Sequence, residues 1–249
     1  MINLILRSPC KIFATFFITL LIILPGCNVG GSGGAVIVAN QNPMGLWDGT
    51  FTETGFGTGN LTGLLINGEL FFISTDADSV HAGTYNVIYN SISGTADLYQ
   101  INGALFGTST LSGTVTTGAS LTGNFSTSYG SIGTFNLAYD PVTDRGSSLA
   151  TTNAVWSATN GLYTITLAID INGMITGSDT DGCVYNGAGS IIDAGKNIYR
   201  VNITVTSCGV LNGTYDGYGS VLDNVIANDT LIYAVQNANY LLYGSLTRQ

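Results

Sequence analysis

Residues able to do chemistry are few in this chain and widely spaced. His81 is the single histidine, so any Ser-His-Asp or Cys-His mechanism must use it. Its surroundings, DSVHAGTY, carry no nucleophile elbow or companion motif. The two glutamates, Glu53 and Glu69, could act as a glycosidase pair only if the fold brought them within about 10 Å. Glu69 stands beside an Asn-Gly turn and reads as a solvated hairpin residue. Asp179-Thr180-Asp181-Gly182 opens like a calcium loop but lacks the further regularly spaced oxygen ligands and the distal Glu, so it reads as an Asp-Gly turn. These residues assign no catalytic group, no metal and no cofactor. A binding or structural protein is expected before an enzyme, with a secreted hydrolase third.

The N-terminus reads as an export signal. Arg7 and Lys11 precede an apolar run from Ile12 to Leu24, and all fifteen acidic residues lie at Asp48 or later. A run of that length suits a signal peptide better than a membrane span of about 20 residues. Leu24-Pro25-Gly26-Cys27 then resembles the lipobox of bacterial lipoproteins, with Pro25 where Ala, Ser or Thr is usual. The resemblance implies a signal peptide over 1–26, cleavage before Cys27, a thioether-linked diacylglycerol on its sulfur and an added acyl chain of the palmitate type. Asn28, not Asp, follows the cysteine, which by the same resemblance implies the outer membrane. Residues 27–43, with Gly30, Gly31, Ser32, Gly33 and Gly34, have the composition of a coil whose reach is roughly 20 to 25 Å.

With Cys10 in the signal and Cys27 taken by lipid, Cys183 and Cys208 remain as an even pair in an oxidising compartment. A disulfide is expected between them. It would join the DTDGC turn to the strand ending TVTSCG and contribute roughly 3 kcal/mol in the chain-entropy model. A metal site built on the two thiols would be incomplete, since His81 is far away in sequence.

Composition bounds the fold. Charged residues are 8% of the chain, and Gly supplies 34 of 249 positions. A hydrophobic share of 45% with 13 Tyr and 10 Phe is ample for a core, so low charge here does not imply disorder. Period-two alternation dominates after residue 44: Leu121, Gly123, Phe125 and Tyr129 fall on one face, as do Tyr163, Ile165, Leu167 and Ile169, and Tyr199, Val201, Ile203 and Val205. One apolar and one polar face mean antiparallel sheet. Asn-Gly at 67–68, 102–103 and 172–173 predicts type I′ hairpins. Glycine repeated inside strands favours curved, closed sheets. The expectation is an all-β antiparallel meander in two similar barrel-like or sandwich-like modules, 44–140 and 149–249, opened by Trp47 and Trp156. The rival is one sandwich spanning both halves. A membrane-spanning barrel is disfavoured, because the inward faces are apolar and the outward ones are Thr, Ser and Asn.

Beyond the signal, four basic residues face fifteen acidic ones, which excludes nucleic acid as a partner. The membrane is reached through lipid, and the remaining candidate ligands are neutral glycans, proteins or cations. Repeated GTF and GTY strands, at Gly49–Phe51, Gly133–Phe135, Gly83–Tyr85 and Gly213–Tyr215, give the body a resemblance to the Gly-rich β-barrel surface lipoproteins of the transferrin-binding and factor H-binding types. That resemblance implies a surface or periplasmic binding and adhesion module; a structural or assembly lipoprotein of the envelope is the alternative. Tyr185 and Tyr218, in Gly- and Asp-rich turns outside the strand pattern, are the expected exposed ligand contacts.

Overall fold

A computed structural model describes residues 39–100 and 102–249; the expected signal peptide, the expected lipobox with Cys27 and the expected tether as far as residue 38 lie outside the described residues. The body is two closed antiparallel barrels of eight strands, each in meander order. The first holds β1 (Gly45–Glu53), β2 (Gly57–Ile66), β3 (Glu69–Ser74), β4 (Ser79–Ile88), β5 (Ser91–Gln100), β6 (Leu105–Thr116), β7 (Ser120–Thr127) and β8 (Ile132–Tyr139). A 3-10 turn (Pro141–Arg145) and a one-turn helix, α1 (Leu149–Thr152), lead into the second. That barrel holds β9 (Ala154–Asn160), β10 (Tyr163–Ile169), β11 (Met174–Asp179), β12 (Val184–Ile191), β13 (Tyr199–Thr206), β14 (Gly213–Leu222), β15 (Thr230–Gln236) and β16 (Leu241–Arg248). Barrels form, and not a sandwich, because the strand glycines let neighbouring strands coil tightly. Gly113 faces Gly123 across β6 and β7, and a Cβ on Gly113 would strike the Thr122 carbonyl oxygen.

Closure differs between the two. β1 meets β8 over seven residue pairs, from Trp47↔Tyr139 to Glu53↔Gly133. β9 meets β16 only at Trp156↔Arg248 and Ser157↔Thr247, so the second barrel parts along this seam toward one end. Eight strands leave an interior that side chains can fill. Phe51, Leu65, Phe72, Ile92, Val115 and Leu121 fill the first, and Ile165, Leu167, Ile203, Tyr215, Val221 and Leu246 the second. Trp47 and Trp156 are fully buried at the same place in each barrel, and each indole N–H donates to the carbonyl four residues earlier, Pro43 and Thr152. This shared detail supports the duplication that the sequence suggests.

Only one of the three Asn-Gly turns is type I′. Asn67 and Gly68 both have positive φ, whereas at 102–103 and 172–173 only the glycine does. Local side-chain bonds decide this. Asp170 Oδ1 accepts from the N–H of Asn172 and of Met174, and Asn102 Oδ1 accepts from the N–H of Ala104, so each longer loop is held by its own Asx bonds.

The barrels pack side by side through an apolar patch. Leu64, Ile66, Phe71, Val80 and Tyr99 of the first meet Ile198, Tyr218, Ala234 and Leu241 of the second. Strands β2 and β3 are therefore buried on both faces, which is why LLI (64–66) and LFF (70–72) break the period of two.

Tyr218, expected as an exposed contact in a turn, lies in β14 at 1% exposure in the centre of this interface. Its ring meets Phe71 edge-on, its hydroxyl donates to Glu69 Oε2 and Arg200 Nη1 donates to it at 3.0 Å. Burial and the Glu69 carboxylate both raise its hydroxyl above the ordinary tyrosine range. Glu69 does stand at the Asn-Gly hairpin and keeps 40% of its side-chain surface exposed, as its place in the sequence suggests, but its carboxylate also spans the junction to Tyr218 and to Arg200, 4.0 Å away.

Cys183 and Cys208 are joined, with Cα atoms 4.5 Å apart. They extend the β12–β13 ladder past its last pair, Val184↔Thr206. Replacing both by serine is expected to lower unfolding stability by about 3 kcal/mol, read as a lower urea midpoint, with a slope that does not fall because the unbridged unfolded chain exposes at least as much surface.

Candidate functional site

Both barrels open in the same direction. The turns β1–β2, β3–β4, β5–β6 and β7–β8 ring one mouth, and β9–β10, β11–β12, β13–β14 and β15–β16 ring the other. An isolated bridge, Ala104↔Tyr240, ties the β5–β6 turn to the β15–β16 turn, and Leu241 N–H donates to the Gly103 carbonyl at 3.2 Å. Asn102 consequently stands between two basins, one of about 470 Å³ over the first barrel and one of about 480 Å³ over the second. The barrel interiors hold only small cavities, about 40 Å³ in the first and about 50 Å³ in the second. An apolar cavity that takes benzene is about 150 Å³, so a ligand of any size belongs at the mouths.

At the second mouth Asp179 is an organising group. Its Oδ1 accepts from the backbone N–H of Asp181 and of Cys183, each at 3.0 Å, and its Oδ2 accepts from the hydroxyls of Tyr163 (3.1 Å) and Tyr185 (2.6 Å). With four donors on its two oxygens this carboxylate is satisfied by the protein itself. Asp179 also clusters with Cys183 and Cys208, but sulfurs bonded to one another do not ligate a metal. Tyr185, expected in an exposed turn, is instead a buried residue of β12 whose hydroxyl forms the floor of the basin, and burial first, then Asp179, pushes it well above the ordinary range. The exposed groups here are Tyr163, Asp181 and the rim residues Leu162 and Val210.

The first mouth is rimmed by aromatic rings. Phe56, Phe106 and Tyr129 are 47%, 42% and 55% exposed, and the last two stack with centroids 5.8 Å apart. Tyr129 was expected on an inward strand face; it sits in the β7–β8 turn instead, beyond the end of the β7 pairing. Phe106 is turned out by a β-bulge: Leu98 faces Gly107 and Tyr99 faces Leu105, which leaves Phe106 without a partner. Glu53 ends β1 at this rim and accepts from the Ser131 hydroxyl. Glu69 begins β3 at the opposite end of the same barrel, so the two glutamates do not form a catalytic pair. Below the rim, His81 Nδ1 lies 3.0 Å from Ser109 Oγ with its ring edge-on to Phe125. Burial alone lowers the imidazole to about 4, so it is neutral near pH 7.

Charge is segregated along the long axis of the barrels. Arg145 pairs with Asp223, Lys196 with Asp144 and Arg200 with Asp216, while Arg248 donates to the Thr151 and Asn228 carbonyls over the Trp156 ring. These are all the basic residues among the described residues, and none lines either mouth. Glu53, Asp78, Asp179 and Asp181 do. The mouth face thus repels anionic ligands and admits neutral or cationic ones.

No protein-family model, curated protein or solved structure matches the chain. Sequence reasoning pointed at the disulfide and the Asp179 turn but passed over Phe56, Asn102, Phe106 and Tyr163. The one local signal at Phe106 is the doubled apolar pair Leu105-Phe106, which departs from alternation at the bulge.

Proposed function

We propose that the chain is an envelope lipoprotein, attached to the outer membrane through lipid on Cys27, that acts as a non-catalytic binding module and engages a protein or glycan ligand with its mouth face. Chain entry carries this reading. Gln41 N–H donates to the Tyr89 carbonyl at 2.6 Å, Asn42 N–H to Thr117 Oγ1 at 2.7 Å, and Tyr89 N–H to Asn40 Oδ1 at 2.7 Å. Tyr89 and Thr117 belong to the β4–β5 and β6–β7 turns, at the end of the first barrel away from its mouth. The expected free tether over 27–43 is shortened accordingly, because Asn40–Asn42 are already fastened to the barrel. The described chain thus enters the first barrel at the end opposite its mouth.

Catalysis has less support. Although Ser109 and His81 are hydrogen-bonded, their cavity of about 40 Å³ admits no acyl substrate. The backbone N–H groups of β4 and β6 are spent on barrel ladders, so no oxyanion site is formed there. An assembly role would instead bury the mouth face under other envelope proteins. Proteinase K added to intact cells distinguishes the two. Cleavage at the exposed Val210 loop is the expected result, and complete protection that disappears on permeabilisation would argue for assembly and against display.

A further inference from the structure

The first mouth is built differently from the second, and its chemistry is specific. The outer basin and the inner cavity adjoin, sharing Glu53, Ser79 and Tyr129 as walls, with His81 and Ser109 lining the inner one below the aromatic rim. Every polar group lining them can accept a hydrogen bond, and none is cationic. Glu53 has one bonded donor, the Ser131 hydroxyl, and neither Glu53 nor Asp78 is in an ion pair among the described residues. Neutral His81 can donate from Nδ1 to Ser109 Oγ, which leaves the Nε2 lone pair without a donor. Above this floor stand the half-exposed rings of Phe56, stacked on Phe51, and of Phe106 and Tyr129, stacked on each other, aromatic groups of the kind that attract a cation by their quadrupoles. The bulge that turns Phe106 outward costs the β5–β6 ladder its regular register, which marks the rim as a shaped feature and not a fray.

We infer that the mouth of the first barrel binds a primary ammonium group, such as a lysine side chain or an amino terminus of a ligand, with the charged head lowered toward Glu53 and His81 and its alkyl stem lying along the stacked Phe106–Tyr129 pair. Size separates this class from its neighbours. The inner cavity of about 40 Å³ is far smaller than the roughly 150 Å³ cavity that takes benzene, which suits a small –NH3+ head. A quaternary ammonium is too broad to descend and must stop at the rim. An alcohol of the same length fits but gains nothing from the two carboxylates. The inference rests on reading the mouths as the ligand face, and names the ligand chemistry for one of them.

Because His81 is the sole histidine, its ring resonances are unambiguous in the intact chain. The full chain, labelled with 13C-histidine and held in a neutral detergent, is titrated at pH 7 with n-butylammonium, tetramethylammonium, n-butanol and methyl α-glucoside. Butylammonium is expected to shift the His81 Cε1–H signal saturably, at least tenfold more tightly than tetramethylammonium or butanol. Glu53→Gln should weaken it at least tenfold, and Phe106→Ala, on an exposed side chain, severalfold with an unchanged unfolding midpoint. Equal response to butanol and butylammonium, or Glu53→Gln binding like the parent, overturns the ammonium assignment. Saturable binding of the glucoside without the amine overturns it too, while leaving the mouth as a ligand face; no response to any probe overturns it outright.

Discussion

Placing Cys27→Ser behind an ordinary secretory signal is expected to move the protein from the membrane pellet to the soluble fraction and to abolish incorporation of labelled palmitate. A thioether needs the cysteine sulfur, which serine cannot supply. One acyl chain binds a bilayer with a partition constant of only about 10⁴ M⁻¹, whereas two or more hold firmly. The loss of all of them should therefore be nearly complete. Nothing else described in the chain offers a replacement. No helix among the described residues is long and apolar enough to cross a membrane. The acidic body is also repelled by anionic headgroups, since fifteen carboxylates face four basic groups beyond the signal. Membrane retention of the serine form, resistant to carbonate and to high salt, would sink the lipid-anchor reading.

Tyr218→Ala is expected to lower stability by about 3 to 5 kcal/mol, the largest effect of any single truncation at the barrel junction. The ring is buried against Phe71, so truncation leaves a cavity between two modules that have no covalent tie there. Its hydroxyl also joins Glu69 of the first barrel to Arg200 of the second. Glu69 and Arg200 keep roughly two-fifths of their side-chain surface in water, so solvent recovers part of the loss of that bond. Tyr218→Phe, which keeps the ring, should accordingly lose only about 1 kcal/mol. Urea unfolding followed by tryptophan emission separates the cases, because Trp47 and Trp156 report one barrel each. The parent should show one transition and Tyr218→Ala two, as the barrels lose their coupling. A single transition with a cost below about 1 kcal/mol would show that the patch does not couple them.

Much of the architecture is legible in residue order because a β-strand exposes its environment every second residue. Tyr163, Ile165, Leu167 and Ile169 alternate with polar neighbours, and three of these four are buried in the second barrel as the pattern requires, Tyr163 being the exposed one at its mouth. The strand glycines announced curvature, and Trp47 and Trp156 announced repetition. Breaks in the same alternation are equally informative. LLI (64–66) and LFF (70–72) are apolar at every position, and a strand of that kind must be covered on both sides. Those two stretches mark the barrel interface. Tyr218 was misplaced for a related reason: its glycine neighbours look like a turn, although Gly217 is a strand residue so close to the Ala234 backbone that a Cβ there would collide with it.

The sequence by itself determined the all-β class, the two-fold repetition and the acidic composition, and carried the expectations of a Cys183–Cys208 bridge and of export and lipidation, because each depends on residues near one another in the chain or on composition alone. Only the tertiary structure decided that both mouths face the same way, that Phe56, Phe106 and Tyr129 from three separate turns ring one of them, and that Tyr218 joins the barrels. Those arrangements follow from how sheets close and pack. Closure sets side by side turns that lie tens of residues apart, and neither strand period nor turn chemistry encodes which of them will meet.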